Sequence, residues 1–444
     1  MVMDWLVSES LENFPSNKSM QFKSVSVIGL GYIGLPTAAM FAKSKVRVIG
    51  VDINQKTIDS INSGRIHFVE PGLEEIVADA VKDGFLKATK TTKSADAFLI
   101  AVPTPFKINE LDVPEPDLSF IKAAADKIAP ILKSGDLVVL ESTSPVGTTE
   151  QLSEWLSKAR EDLSFPQQKG DSADISIAYC PERVIPGQVV YELVENDRII
   201  GGMSGASSKK AADLYKIFVK GQCIQTSVRT AEMAKLTENS CRDVQIAFAN
   251  ELSVICDNLN INVWELINLS NKHPRVNILQ PGPGVGGHCI AVDPWFIVSK
   301  TPKLARLIRT AREVNDAKPR WVVNKVKMLI AEFLQEHPDR TTKNITIACY
   351  GLSFKPDIDD LRESPAMEIS ACLSEFHSGE VIAVEPNIDE SQFLGEKLKL
   401  VDLEYAIETA DLHLLLVDHK QFRALQNIPS KYLIDTKGIW SDQY

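Results

Sequence analysis

The stretch SVSVIGLGYIGLPTAAMFAK, followed by VRVIGVD, constrains the fold more than any other part of the chain. An apolar run suited to a buried strand leads into Gly29-Leu30-Gly31-Tyr32-Ile33-Gly34, a helical pattern follows, and a second strand ends at Asp52. A G-x-G-x-x-G alone would be weak, but flanked by both strands and an acidic residue about 20 positions on it reads as a dinucleotide-binding βαβ unit. Gly29 makes the tight turn, Gly31 lets a pyrophosphate approach the backbone, and Gly34 allows the helix to pack closely on the strand. The helix N-terminus presents unsatisfied N–H groups to the phosphates. Asp52 can accept hydrogen bonds from ribose hydroxyls and would repel a 2′-phosphate, so NAD is expected rather than NADP.

Three further strand patterns follow, ADAFLIAVPTP, LVVLESTSPVG and ISIAYCPER, each ending in a polar or proline-rich loop. Ligands of open α/β sheets bind at such carboxyl ends, which directs Thr104, Ser142, Thr143 and Glu182 toward cofactor or substrate. For Thr104 and Ser142, ordinary loop capping is an equally good reading. Glu182, a carboxylate at a strand end, is a candidate base.

From about Arg229 the pattern turns helical. Lys235, Asn239 and Arg242, at spacings of four and three, share one helix face. A polar stripe is usually a solvated face, but apolar neighbours Leu236, Val244, Ile246 and Phe248 predict a helix largely wrapped by protein, where Lys-Asn-Arg suits an anionic ligand. A second helix, VWELINLSNKH, leads to His273, Pro274 and Arg275 and then to PGPGVGGHCIAVD, residues 281–293. Its glycines and prolines build a side-chain-poor loop that presents Cys289, with Asp293 four residues later. The literal G-x-G-x-x-G there (Gly282, Gly284, Gly287) follows no clear strand and is not read as a dinucleotide fingerprint. A lone cysteine is usually a core filler, so its role depends on the rest of the chain.

From about Lys343, KNITIACYGLSFKPDIDDLRESPAMEI reads as strand, loop and helix, with Ser364 as N-cap and Pro365 in the first helical position. EVIAVEP, LHLLLVDH and YLIDTKG continue the alternation. The first loop carries Lys355 and Arg362 in place of a glycine fingerprint, which suits a phosphorylated ligand. The expected fold is α/β, two Rossmann-like doubly wound domains joined by a central all-helical domain. The expected divisions are an arm at 1–20, a NAD-binding domain at 21–205, a helical domain at 206–320 and a second doubly wound domain at 321–444.

At 444 residues the chain exceeds what one core sustains. A net charge of −11 argues against nucleic acid or an anionic membrane surface as the main partner. No apolar run approaches the ~20 residues that span a bilayer. The seven cysteines form no C-x-x-C pair, which argues for a reducing, cytoplasmic setting without disulfide or zinc, and no metal is expected. Residues 1–20 carry no basic start and no cleavage site, so they read as a loose arm or as sequence ahead of a working start at Met20.

Seven motifs together carry a family likeness over essentially everything after Met20: GLGYIGLPTA (29–38), AVPTPFK (101–107), ESTSPVGTTE (141–150), YCPERV (179–184), RTAEMAKLTENS (229–240), HPRVNILQPGPGVGGHCIAVDPWF (273–296) and GLSFKPDIDDLRESP (351–365). The chain resembles the nucleotide-sugar 6-dehydrogenases, the group that includes UDP-glucose dehydrogenase. Within it the likeness is strongest to the bacterial branch acting on UDP-N-acetyl-D-mannosamine, with UDP-N-acetylglucosamine and UDP-glucose as alternatives. The resemblance implies NAD as cofactor, a UDP-sugar substrate, a homodimer formed through the central domain, and a product used for surface polysaccharide of the enterobacterial common antigen type. It implies Cys289 as nucleophile, Lys235 as catalytic lysine and Asn239 as oxyanion stabiliser. Asp293 would position water and Glu182 would serve thioester hydrolysis. Arg183, Val184, Lys235, Asn239, Arg242, His273, Arg275, Gly286, Phe354 and Lys355 match positions that hold the UDP-sugar. Tyr32, Ile33, Asp52, Thr104, Thr143 and Arg362 match NAD contacts, beside the glycines Gly29, Gly31 and Gly34. Two departures are Lys437 in DTKG, where some relatives place an arginine that contacts substrate, and the N-terminal arm.

Overall fold

The structure, a computed structural model, describes residues 22–108, 114–185, 187–287, 289–388, 398–425, 428 and 430–440. The arm expected at 1–20 lies outside the described residues. The chain divides into two units, one up to Thr237 and one from Glu238 onward, and the division falls inside the helix Val228–Asn258.

The first unit is built on β1 (Ser24–Ile28), β2 (Arg47–Val51), β3 (Leu86–Thr89), β4 (Ala97–Ile100), β7 (Leu137–Leu140), β8 (Ser176–Tyr179), β9 (Arg198–Gly202) and β10 (Cys223–Ser227), in the order β10-β9-β8-β7-β4-β1-β2-β3. Between β4 and β7 the chain forms a separate antiparallel pair, β5 (Phe106–Ile108) and β6 (Pro114–Pro116). In the large sheet every pairing is parallel except β8 with β9. The central strands β4 and β7 are apolar and buried at every position because helices cover both faces. Ala97 and Leu99 of β4 enter one core while Phe98 and Ile100 enter the other, and Leu137, Val139 and Val138, Leu140 of β7 divide in the same way. The chain leaves β1 toward β2 on one side and reaches β4 on the other, so the sheet's topological switch lies beside the Gly29 turn.

The second unit holds a parallel five-stranded sheet: β11 (Ile347–Tyr350), β12 (Val381–Val384), β13 (Lys399–Leu400), β14 (Leu412–Leu415) and β15 (Leu433–Asp435), ordered β13-β12-β11-β14-β15. Helix Pro365–Phe376 starts where the sequence places it: Ser364 accepts from the Met367 N–H at 3.3 Å and Pro365 opens the first turn.

Two of the expected boundaries meet continuous structure. The segment expected to be all-helical from 206 contains β10, whose pairing with β9 carries the first sheet on to Ser227. The expected boundary at 320 falls inside one helix, which runs unbroken from Arg306 to Glu336 through Pro319. Its first half is bound to the long helix, Arg312 donating to Asp243 at 2.7 Å and Asn315 to the same carboxylate at 2.8 Å. Its second half supplies Val322, Val323, Val326, Ile330 and Phe333 to the core beneath β11. Packing at both ends outweighs the hydrogen bond a proline removes.

Candidate active site

The first unit offers a dinucleotide crevice. Gly29 has φ +93°, and a Cβ added there would lie 2.4 Å from the Ala101 carbonyl oxygen; one added at Gly34 would lie 1.8 Å from the Gly29 oxygen. These two glycines are required by the protein itself. A Cβ at Gly31 would meet nothing within 4 Å, so space is open at the position where a pyrophosphate would approach. Ile33, which precedes helix Gly34–Lys43, offers no side-chain cap; the Leu35 N–H donates to the Gly31 carbonyl at 3.1 Å and Pro36 has no N–H, so of the first three helical residues Gly34 alone keeps an N–H to offer a ligand. Asp52 follows β2, with one oxygen accepting from the Leu30 N–H (3.0 Å) and the other from the Asn54 N–H (2.8 Å), which fixes the carboxylate while leaving it lone pairs for ribose hydroxyls. Tyr32 is stacked on Phe68 at 4.3 Å. These residues fit NAD.

Loops after β4 and β7 close the same edge. Thr104 donates to the Thr143 carbonyl at 2.6 Å, tying the two loops together. Ser142 is buried and donates to the Val102 carbonyl at 2.7 Å, so its role is the capping one. Glu182, just past β8, is buried, accepting the Arg183 N–H at 2.8 Å and an Arg198 guanidinium N–H at 2.9 Å. Arg183 is half-buried and donates to the Asp197 carbonyl, while Val184 packs against the core.

Lys235 is half-buried on the long helix. Three residues before it, Glu232 is fully buried and accepts from the Gly147 N–H, the Thr149 N–H and the Thr149 hydroxyl at 2.7, 2.8 and 2.7 Å. It thereby caps helix Thr148–Ala159 and fixes the start of the long helix on the loop that follows Thr143. Neither Glu232 nor Arg198 stood out in the sequence, because each draws its importance from a partner far away along the chain. The expectation of a wholly wrapped helix is corrected in part: Leu236 is buried, but Phe248 is exposed.

The second unit gathers the thiol loop. Cys289 is exposed, and its carbonyl accepts the N–H groups of Val292 (3.2 Å) and Asp293 (2.8 Å), which start helix Asp293–Lys300. Asp293 is buried and accepts from the Asn239 side-chain amide at 2.5 Å. The loop lies tightly against the first loop of the second sheet. A Cβ on Gly286 would stand 2.4 Å from the Glu363 oxygen and 2.7 Å from the Phe354 Cβ, and the Gly287 N–H donates to the Arg362 carbonyl at 3.2 Å. Lys437 is drawn in as well, its ammonium 3.7 Å from where a Gly282 Cβ would be and 3.2 Å from Asp418. The expected residues Cys289, Asn239, Asp293, Gly286, Phe354, Arg362 and Lys437 thus converge.

Lys355 is exposed on that loop, whose backbone is held by Glu385. This carboxylate accepts from the Leu352 and Ser353 N–H groups and from His419 Nε2 at 3.0 Å, while His419 Nδ1 accepts the Asp357 N–H at 2.9 Å. Burial pushes the Glu385 carboxyl up, but its His419 partner and backbone donors hold it below the usual range. The Arg362 guanidinium is bonded to Asp360. Arg242, His273 and Arg275 stay exposed, the last two in the turn after helix Val263–Ser270. Among the described residues no helix is long and apolar enough to cross a membrane.

Three models of the UDP-glucose/GDP-mannose dehydrogenase family match in sequence: its NAD binding domain over residues 23–219, its central domain over 229–317 and its UDP binding domain over 348–442. The chain is similar to the UDP-N-acetyl-D-mannosamine dehydrogenase of Escherichia coli (strain K12), at 60% identity over 427 residues, covering 95% of this chain and 100% of that one. It is equally similar to the NDP-N-acetyl-D-galactosaminuronic acid dehydrogenase of Ralstonia nicotianae, 60% identical over 424 residues, 95% of this chain and 97% of the other. Among solved structures, the UDP-N-acetyl-mannosamine dehydrogenase from S. aureus superposes with a TM-score of 0.80 at 42% identity, covering 95% and 96% of the two chains.

Proposed function

The chain belongs to the UDP-glucose/GDP-mannose dehydrogenase family and is an NAD-dependent UDP-sugar dehydrogenase; from that premise we propose that it oxidises UDP-N-acetyl-D-mannosamine at C6 to the uronate. The full-length 60% identity to the E. coli enzyme supports this substrate. A second reading, an N-acetylgalactosamine-type nucleotide sugar, is supported by the equal identity to the Ralstonia protein.

Going from CH2OH to carboxylate removes two hydrides, and NAD+, when bound, accepts them one at a time. In the proposed sequence Lys235 assists loss of the hydroxyl proton in the first oxidation. The Cys289 sulfur then bonds to the aldehyde carbon, giving a thiohemiacetal whose oxidation leaves a thioester, so no free aldehyde is released. Asn239 and Lys235 stabilise the oxyanions, and Asp293, held by Asn239, orients water. Glu182 takes the proton of the water that attacks the thioester. Gly286, Phe354, Lys355 and Lys437, with Arg183, Val184, Arg242, His273 and Arg275, are proposed to hold the UDP-sugar. Gly29, Gly31, Tyr32, Ile33, Gly34, Asp52, Thr104, Thr143 and Arg362 are proposed to hold NAD.

The three-part division into NAD-binding, helical and UDP-sugar-binding sections is proposed with its first boundary near Ser227. A homodimer through the helical section is supported by exposed apolar side chains on and beside the long helix, among them Phe248, Ile255, Leu259 and Ile261. The setting proposed is cytoplasmic, with the uronate feeding surface polysaccharide of the enterobacterial common antigen type.

The test mixes purified protein with NAD+ and, separately, UDP-N-acetylmannosamine, UDP-N-acetylgalactosamine, UDP-N-acetylglucosamine and UDP-glucose, counting NADH per sugar consumed. Two NADH from the first with little from the others supports the proposal. Two from another sugar corrects the substrate alone, and one NADH per sugar removes the thioester route.

A further inference from the structure

We infer that Arg198 is a positioning residue for the second half of the reaction: it holds the Glu182 carboxylate in the single orientation from which it takes a proton from the water that attacks the thioester. The inference rests on the role proposed above for Glu182.

The arrangement is a buried cluster at the carboxyl end of the first sheet. Arg198 opens β9, the strand antiparallel to β8, and so faces the residues that leave β8. One terminal nitrogen donates to Glu182 Oε2 at 2.9 Å, with both side chains almost wholly buried, and the other approaches the Cys180 sulfur at 3.8 Å. The guanidinium lies 4.8 Å from the Tyr215 ring and 5.6 Å from the Phe218 ring, so aromatic faces hold it in place. The second Glu182 oxygen accepts the Arg183 N–H, which leaves the carboxylate one orientation.

The charges around the pair favour this reading. Glu141, just past β7, is the other carboxyl in the cluster, and Tyr215 donates to it at 2.5 Å. Burial pushes Glu141 up to about 8, so near neutral pH it carries a proton and does not compete for the cation. Burial likewise pushes the Cys180 thiol up to about 12 and raises the Tyr215 phenol and the Cys223 thiol of the neighbouring strand, so all three stay neutral. Arg198 is then matched one to one with Glu182. A buried carboxylate without a cation would take up a proton and could not act as a base. In the step itself the water oxygen bonds to the thioester carbon while its proton passes to Glu182. The C–S bond then breaks, and its electron pair leaves on the Cys289 sulfur.

The test compares the full-length wild type with Arg198→Lys, Arg198→Met and Glu182→Gln, mixed rapidly with NAD+ and UDP-N-acetyl-D-mannosamine across pH 5.5–9. Arg198→Met should give a rapid burst of two NADH per active site, which shows that it is folded, followed by acid release at least about tenfold slower than wild type. Its activity should fall off on the acid side at a higher pH than in the wild type, a shift that a purely structural defect would not produce. Arg198→Lys, which keeps the charge, should restore the acid limb of that profile. An Arg198→Met profile that coincides with wild type, or a Lys variant shifted as far as Met, overturns the inference. If the Met variant gives no burst, the Lys variant's limb decides alone: unshifted supports the inference, and shifted overturns it. Wild-type hydrolysis in Glu182→Gln would instead overturn the underlying role of Glu182, an outcome separable from the failure of Arg198.

Discussion

Asn239 donates its side-chain amide to the Asp293 carboxylate at 2.5 Å across 54 positions of sequence, joining the long helix to the first turn of the helix that follows Cys289. The bond sets the orientation of a buried acid whose backbone N–H is bonded to the Cys289 carbonyl, so the amide and the carboxylate are linked to the backbone of the residue that carries the thiol.

Asn239→Ala should therefore lower kcat by ~10²–10³ with a smaller change in the KM for the UDP-sugar, since the proposed oxyanion donor and the support of Asp293 would be lost together. Steady-state NADH production measures both constants. A raised KM with unchanged kcat would make Asn239 a binding residue only.

Cys289→Ser should lose net formation of the uronate, because a hydroxyl is a much weaker nucleophile and the hemiacetal route to an acyl-enzyme closes. The variant should stop at the aldehyde level, seen by trapping with a carbonyl reagent and by mass spectrometry. Turnover to the acid at the wild-type rate would remove Cys289 from the chemistry.

The fingerprint glycines should separate into two kinds. Gly34→Ala has no room, with its Cβ 1.8 Å from the Gly29 oxygen, and should abolish soluble folded protein. Gly31→Ala meets nothing within 4 Å, so the melting temperature without ligand should stay within about 2 °C of wild type while the KM for NAD+ rises at least about tenfold. An unchanged KM would place the pyrophosphate elsewhere.

Glu141 gives stability a pH dependence whose sign follows from its raised pKa. Below pH ~4.5 it is protonated in both the folded and unfolded chain; between there and about 8 the unfolded chain gains by ionising and the folded one does not. Its contribution is thus present at low pH and is lost as pH rises to about 8. Glu141→Gln, neutral throughout and able to keep the Tyr215 bond, should gain on wild type by roughly 1.4 kcal/mol per pH unit in that window. Denaturant midpoints of both proteins at pH 5.5 and 8 read the difference. Parallel midpoints would mean that Glu141 is ionised in the fold.

The parts legible in sequence were those whose physics is local. The Gly29–Gly34 turn with its strands, the Ser364 cap and Pro365, and the bounds of the long helix near Val228 all follow from contacts within a few residues of each other. β10 was not legible: CIQTS is half-exposed and polar, and becomes a strand only through its register with β9. The helix through Pro319 escaped because packing at its two ends overrides a local breaker.

By itself the sequence determined the fold class, the order of the NAD-binding parts and the residue types available for chemistry, because backbone preferences and short-range spacing are written along the chain. Only the tertiary structure decided how those residues are held. It placed Arg198 against Glu182, Glu232 over the turn at Gly147, Asn239 on Asp293 and Glu385 beneath the Phe354–Lys355 loop. Each of these is a carboxylate taken from water and given a partner from a distant part of the chain. The energy of such a group depends on burial and on the charge or donor beside it, and neither exists until the chain has folded.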